Sequence, residues 1–68
     1  MKRLTNWAFV DADHSLHIDI PILLTELHFE DTPENRELAV KAAAEGIRDV
    51  LPNVESFVDE KGQLRHYD

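Results

Sequence analysis

Two short segments, one near each end of the chain, carry the same turn signature. Residues 9–16 read Phe-Val-Asp-Ala-Asp-His-Ser-Leu, and residues 57–64 read Phe-Val-Asp-Glu-Lys-Gly-Gln-Leu. An Asp that opens a turn and a Gly that closes it are typical of a type I turn followed by a left-handed residue. Histidine tolerates positive φ at some cost, so His14 can occupy the position that Gly62 occupies in the second segment. The pattern predicts two β-hairpins, over about residues 6–20 and 54–67.

Apolar and polar residues alternate along the first hairpin, as they do in a half-buried strand. Leu16, Ile18 and Ile20 fall on one face of its second strand. Trp7 and Phe9 share a face of its first strand, and large aromatic side chains usually anchor a small core. We therefore expect both aromatic residues to lie in the core.

Two helices are predicted between the hairpins. Pro21 suits the first turn of a short helix over about residues 21–28, although an extended conformation is the alternative for this segment. A long helix is predicted over about residues 33–51, with Thr32 as N-cap and Pro33 at the first helical position. Pro52 ends that helix because proline cannot continue it.

These elements define an α+β fold: an antiparallel sheet from the N- and C-terminal hairpins, with a short helix and a long helix packed on one face. The 68 residues predict a single small domain, 1–68, whose core is marginal in size. The chain has no cysteine, which excludes disulfides and thiolate metal sites. Oligomerisation or a histidine and carboxylate metal site remains as a source of extra stability.

The apolar arc of the long helix is wide, roughly 220° at 100° per residue, and small residues line its middle. Because small side chains let another backbone come close, this face predicts a tightly packed neighbour. The neighbour is either the short helix or the same helix of a second copy, and we expect a homodimer. The small residues are Ala39, Ala42, Ala43 and Gly46.

Negative charge is concentrated in the first half of the chain, and the formal net charge is −7. Residues 4–35 contain no Lys or Arg but seven carboxylates. Such a surface repels nucleic acid and anionic membranes and attracts basic partners or metal ions. The leading functional hypothesis is a small, non-enzymatic interaction module or inhibitor that engages a basic protein surface. The expected contact residues are Asp11, Asp13, Asp19, Glu26, Glu30 and Asp31.

A divalent metal site on the first hairpin is the alternative function. Imidazole and carboxylate groups are the only strong metal ligands available in a chain without cysteine. The candidate ligands are His14, His17, Asp11, Asp13 and Asp19, although their spacing matches no standard zinc motif. The competing interpretation assigns Asp11 and Asp13 to the turn, His14 to the bulge, and His17 and Asp19 to a solvent-facing side of the sheet. A third possibility is that the chain is a subunit of a larger assembly.

Catalysis, membrane insertion and secretion have little support in the sequence. Ser15 and Ser56 lie in no nucleophile motif, and no glycine-rich phosphate loop occurs. The longest apolar run, residues 20–24, is far shorter than a membrane span. The first residues lack the apolar segment of a secretory signal, so we expect a cytoplasmic protein.

Overall fold

A computed structural model describes residues 2–67 as a five-stranded sheet and two helices. The strands follow the order β1-β2-β3-β4-β5 across the sheet, and every neighbouring pair is antiparallel except β3 and β4, which are parallel. The elements are β1 (Lys2–Thr5), β2 (Ala8–Val10), β3 (Ser15–Ile18), α1 (Ile20–Leu27), α2 (Pro33–Val50), β4 (Ser56–Val58) and β5 (Leu64–His66).

The predicted α+β fold, with a short helix and a long helix, is confirmed. The sheet is only mostly antiparallel, because β3 and β4 pair in parallel where an antiparallel sheet was predicted. The predicted hairpins correspond to the antiparallel pairs β2–β3 and β4–β5, although the first ends at Ile18 and Ile20 already begins α1. The structure adds one strand, β1, which forms the sheet edge beside β2. Its sequence, Lys-Arg-Leu-Thr, has a single strongly apolar residue and therefore no readable alternation. A register irregularity between Arg3 and Thr5 weakens the pattern further.

Both helices begin at a side-chain cap and have proline in the first turn. Asp19 accepts a hydrogen bond from the backbone N–H of Ile22, which starts α1. Thr32 accepts one from the backbone N–H of Asn35, which starts α2 as predicted. These caps satisfy N–H groups that the first helical turn leaves without a helical partner. The helical prediction for the Pro21 segment is confirmed over the extended alternative.

The core lies between the helices and one face of the sheet. Leu16 is fully buried, together with Ala8 and Val54. A second buried cluster comes from the helices: Ile20, Leu23, Leu24, Ala39, Val40 and Ala43. Trp7, Ile18 and Phe57 contact both clusters and join them into one core.

The two hairpin turns use the same hydrogen bonds, as their shared signature predicts. In the first, Asp11 Oδ1 accepts from the backbone N–H groups of Asp13 and Ser15, at 2.8 and 3.1 Å. In the second, Asp59 Oδ1 accepts from the equivalent two N–H groups, both at 2.9 Å. His14 and Gly62 occupy the left-handed position, with φ of 61° and 76°. The predicted equivalence of these two residues is therefore confirmed.

Equivalent residues of the two hairpins nevertheless lie on opposite faces of the sheet. Because β3 and β4 are parallel, the second hairpin is turned over relative to the first. Leu16 is fully buried, whereas its equivalent, Leu64, is 52% exposed. Phe57 contacts the core, whereas its equivalent, Phe9, stacks on His17 with ring centroids 4.6 Å apart.

The prediction that Phe9 anchors the core is therefore wrong, while that for Trp7 is confirmed. Trp7 belongs to the turn before β2 and packs against both core clusters. The strand itself begins at Ala8, which is buried, so the next residue, Phe9, faces away from the helices. The simple alternation from Trp7 to Phe9 fails because Trp7 lies in the turn, whereas Phe9 lies in the strand.

The left-handed position gives a test of the hairpin equivalence. A non-glycine residue there costs roughly 1–2 kcal/mol, more than the 0.5–1 kcal/mol of backbone entropy that glycine loses on folding. We expect His14→Gly to raise the free energy of unfolding by about 0.5–1 kcal/mol and Gly62→Ala to lower it by about 1 kcal/mol. Urea unfolding of each variant measures the change.

The control is Ala12→Gly, which lies in the same turn but not at a position with positive φ. It adds the same backbone entropy cost without relieving strain, so we expect it to destabilise the protein. A His14→Gly variant that is destabilised as much as Ala12→Gly would contradict the assigned role of His14.

Candidate functional site

The six carboxylates expected to bind a partner do not form one surface. Asp11 lines a groove with Leu51 and Val54, beyond the C-terminal end of α2. Glu30 and Asp31 immediately precede the N-terminal end of the same helix. With 18 residues at 1.5 Å each, α2 is about 27 Å long, so its two ends are far apart. The structure therefore divides the predicted set into a hairpin group and a group at the α1–α2 connection.

The hairpin group is largely engaged in local structure. Asp11 holds the turn through Oδ1, and its Oδ2 accepts a hydrogen bond from His17 Nε2 at 2.6 Å. The His17 hydrogen bond, helped by the Ser15 N–H, holds the pKa of Asp11 below its usual value. Asp19 caps α1, whereas Asp13 is exposed at the tip of the turn. Only Asp13 in this group keeps its side chain free of a structural role.

The structure does not bring the proposed metal ligands together. Among residues 2–67, no group of three or more His, Asp or Glu side chains is placed to hold a metal ion. The Asp11 and His17 side chains bind each other, and His14 serves as the left-handed turn residue. The turn interpretation accounts for Asp11 and His14, whereas Asp19 caps α1.

The serines of the sheet are engaged with each other. Ser15 Oγ and Ser56 Oγ are 2.6 Å apart across the parallel β3–β4 pair, and both residues are buried. A hydroxyl that is buried and bound to another hydroxyl is neither exposed to substrate nor activated by a base. Neither serine forms a nucleophile site in this arrangement.

The α1–α2 connection is an exposed acidic segment whose backbone is well anchored. His28 adopts φ of 60° at the end of α1, and the next backbone N–H, that of Phe29, donates to the Leu24 carbonyl at 3.0 Å. This is the usual way to close a helix with a left-handed residue. The Glu30 carbonyl accepts from Asn35 Nδ2 at 2.8 Å, which ties the connection to the first turn of α2. The connection is thus held at both ends.

Charge in the connection is only partly neutralised. Arg36 Nη2 donates to Asp31 Oδ2 at 2.7 Å, and this pair lowers the pKa of Asp31 and raises that of Arg36. In the described part of the chain, Glu26 and Glu30 belong to no ion pair, and both are exposed. Two carboxylates are therefore free to meet external cations.

An exposed aromatic residue lies between these carboxylates. Phe29 is 44% exposed, and it directly precedes Glu30 and Asp31. Sequence analysis recognised the acids but not the exposed phenylalanine, which has no amphipathic pattern around it. An aromatic side chain beside unpaired carboxylates can anchor a partner that presents an apolar contact together with positive charge.

Sequence analysis also missed the ion pair of the second hairpin. Asp59 Oδ2 accepts from Arg65 Nε at 2.9 Å, and the Asp59 side chain is only 4% exposed. The Arg65 hydrogen bond is the main cause that lowers the pKa of Asp59. The signal was available in the shared signature, since Arg65 occupies the position equivalent to that of His17.

The small residues of α2 divide into two sets. Ala39 and Ala43 are buried in the helical core cluster with Leu23 of α1, so the short helix is one neighbour of this face, as predicted. Ala42 and Gly46 are exposed, and a Cβ added at Gly46 would meet nothing within 4 Å. Within residues 2–67, open space therefore lies beside Gly46.

Comparisons with protein-family models, curated proteins and solved structures found no match. Within residues 2–67, neither helix is both long and apolar enough to cross a membrane.

Acid is expected to destabilise the fold through the two turn aspartates. The pKa values of Asp11 and Asp59 lie below the ordinary 3.8 in the folded protein, so folding favours their ionised forms. Their contribution to stability is present above the unfolded pKa and is lost as pH falls through the folded pKa. Melting temperature should therefore fall steeply below about pH 4.

Asp59→Asn is the informative variant for this pH dependence. It should melt at a lower temperature than the parent at pH 7, because Arg65 loses its carboxylate partner. Its melting temperature should also change less between pH 5 and pH 2.5. Asp13→Asn, an exposed turn position, serves as the control, and a pH profile of Asp59→Asn parallel to the parent would refute the linkage.

Proposed function

We propose that the chain is a non-enzymatic protein–protein interaction module, or inhibitor, that acts as a cytoplasmic homodimer and engages a basic protein surface. The α1–α2 connection is the proposed contact region. The observation that carries the proposal is the exposed Phe29 beside the carboxylates of Glu30 and Asp31, with Glu26 nearby in the last turn of α1.

Apolar and charged groups have different roles in such a contact. Buried aromatic anchors supply most of the affinity of typical interfaces, while charges at the rim steer the approach and select the partner. Phe29 is the natural anchor, and Glu26 and Glu30 are the unpaired charges. The net charge of −7 adds a long-range attraction toward basic partners.

The anchored backbone of the connection favours binding. A flexible loop would lose conformational entropy when a partner orders it, at a cost of roughly 1–2 kcal/mol per residue. Here the Phe29 N–H and the Glu30 carbonyl are already engaged in hydrogen bonds to the adjoining helices. A partner therefore meets a segment that is largely preorganised.

Differential capture tests the proposal. The parent chain, Phe29→Ala, Glu26→Gln/Glu30→Gln and a control, Glu37→Gln/Glu55→Gln, are immobilised and exposed to a native lysate of the source cells. The control removes the same charge from exposed positions outside the connection. Bound proteins are eluted with NaCl and quantified by mass spectrometry.

We expect a basic protein that elutes with salt from the parent and the control but is depleted on both connection variants. The loss should be roughly 3- to 30-fold in affinity for the glutamine pair and about 30-fold for Phe29→Ala. Equal retention by all four proteins would show that the connection is not the contact region. Equal losses of binding in both double-glutamine variants would show that net charge alone, and not the connection, attracts the partner.

A further inference from the structure

β5 forms an open edge of the sheet. Within residues 2–67 it pairs only with β4, and all of its residues are exposed. The Gln63 carbonyl and the Tyr67 N–H are hydrogen-bonded to residues that flank β4. Hydrogen bonds alternate along an antiparallel pair, so the backbone N–H and C=O groups of Leu64 and His66 point away from β4. An edge strand of this kind is a template for a further strand from another chain.

A groove of about 470 Å³ lies along this edge, between β5 and α2. Val40 and Ala44 of α2 supply part of its apolar lining, and Phe57 of β4 and Tyr67 supply the rest. The rings of Phe57 and Tyr67 lie 5.2 Å apart, measured between centroids. The groove therefore offers an apolar surface beside strand groups that are free to form hydrogen bonds.

Tyr67 fixes one end of the groove. Its hydroxyl donates to the Ala44 carbonyl at 2.6 Å, and the Arg48 guanidinium stacks over its ring at 4.4 Å from the centroid. These contacts tie the chain after β5 to α2. A ligand therefore meets a groove that already has its shape, which reduces the conformational entropy lost on binding.

The charges of the groove favour a basic ligand. At pH 7, with histidine neutral, its charged lining consists of four carboxylates, one lysine and one arginine. The arginine, Arg65, is already paired with Asp59, while Lys41 belongs to no ion pair within residues 2–67. With the Arg65–Asp59 pair set aside, three carboxylates remain against one lysine, and the groove attracts positive charge.

Two of these carboxylates stand at opposite ends of β5. Glu60 lies in the turn that joins β4 to β5. Glu45 directly follows Ala44, whose carbonyl holds Tyr67 beyond the other end of the strand. A ligand that lies along β5 therefore passes one carboxylate at each end.

We propose that the β5 edge and its groove bind an extended basic segment of a partner protein, which adds a sixth strand to the sheet. The backbone of the segment forms hydrogen bonds with the outward groups of Leu64 and His66, as in other cases of strand addition. The groove residues do not belong to the α1–α2 connection, so neither proposal depends on the other.

The groove also defines the side chains that the segment needs. Alternate residues of a strand share a face, and four residues span about 13 Å. The segment carries an apolar residue that points into the groove, with a basic residue two positions before it and another two positions after it. The two basic side chains meet Glu45 and Glu60, and the apolar side chain meets the apolar lining.

An NMR titration with a synthetic peptide tests the site directly. The probe is Thr-Arg-Thr-Val-Thr-Arg-Thr with both ends blocked, and the control peptide has glutamate in place of each arginine. We expect the arginine peptide to slow hydrogen exchange at the Leu64 and His66 amides and to leave β1, the other sheet edge, unchanged. Absence of this protection, protection of β1 instead, or equal binding of the glutamate peptide would overturn the proposal.

Charge variants test the two ends of the groove. Glu45→Gln/Glu60→Gln should weaken binding of the arginine peptide about 2- to 30-fold, because each variant carboxylate loses one ion pair. Asp13→Asn/Asp49→Asn is the control, since it removes the same charge from exposed positions that do not line the groove. Equal losses in the two variants would assign the binding to net charge and refute the site.

A backbone variant tests strand addition. Leu64→Pro removes one outward N–H without removing a hydrogen bond to β4, and proline is tolerated at such edge positions. It should weaken peptide binding about 2- to 10-fold, whereas Leu64→Ala, which keeps the N–H, should bind more tightly than Leu64→Pro. Unchanged amide shifts in β2 and β3 verify that each variant is folded, and equal affinity of the two variants would refute strand addition.

A second copy of the chain is the other occupant that the experiment detects. Exchange at the Leu64 and His66 amides is measured without peptide from micromolar to millimolar protein. We expect it to be independent of protein concentration. Protection that grows with concentration would assign this edge to a second copy and overturn the proposal.

Discussion

The parallel pairing of β3 with β4 is the constraint on which the rest of the structure depends. If β3 and β4 were antiparallel, a short loop could join the two hairpins. Because they are parallel, the chain must return from the end of β3 to the end of the sheet at which β3 begins before β4 can start. The connection between them must therefore carry the chain back along the length of the sheet. α1 and the 18-residue α2 form this connection, and their apolar faces cover the sheet as they cross it. The buried Ser15–Ser56 hydroxyl contact lies on this pairing.

The same pairing explains why two hairpins with one turn signature bury different residues. Turning the second hairpin over exposes positions that are buried in the first, as Leu16 and Leu64 show. It also places the carboxylate of Asp59 in a buried setting with Arg65, while Asp11 meets His17 on the opposite face. Identical local hydrogen bonds thus coexist with different tertiary surroundings. The hairpins are equivalent as local structures and different as parts of the core.

The long return helix also separates the surfaces that are available for binding. Its N-terminal end adjoins the acidic connection with Phe29, and its exposed row of Leu38, Ala42, Gly46 and Val50 runs along the side. A small domain buries only about 60% of the surface that its unfolded chain exposes, so apolar residues remain outside the core. We propose the acidic connection as the contact for a basic partner.

The sequence by itself determined the local structure. Three local features were predicted and confirmed: the turn hydrogen bonds of Asp11 and Asp59, the N-cap at Thr32, and the long helix that follows it. Each depends on neighbours within a few positions of the chain. The sequence also showed that carboxylates are concentrated in the first half of the chain. It did not show which of them lie close together, because distance along the chain says little about distance in space. Only the tertiary structure decided that Phe9 faces outward, that Asp11 and Glu30 lie far apart, and that Gly46 has open space beside it. Such outcomes depend on contacts between distant parts of the chain. The parallel β3–β4 pairing, which turns the second hairpin over, joins residues about 40 positions apart, and no local pattern encodes it.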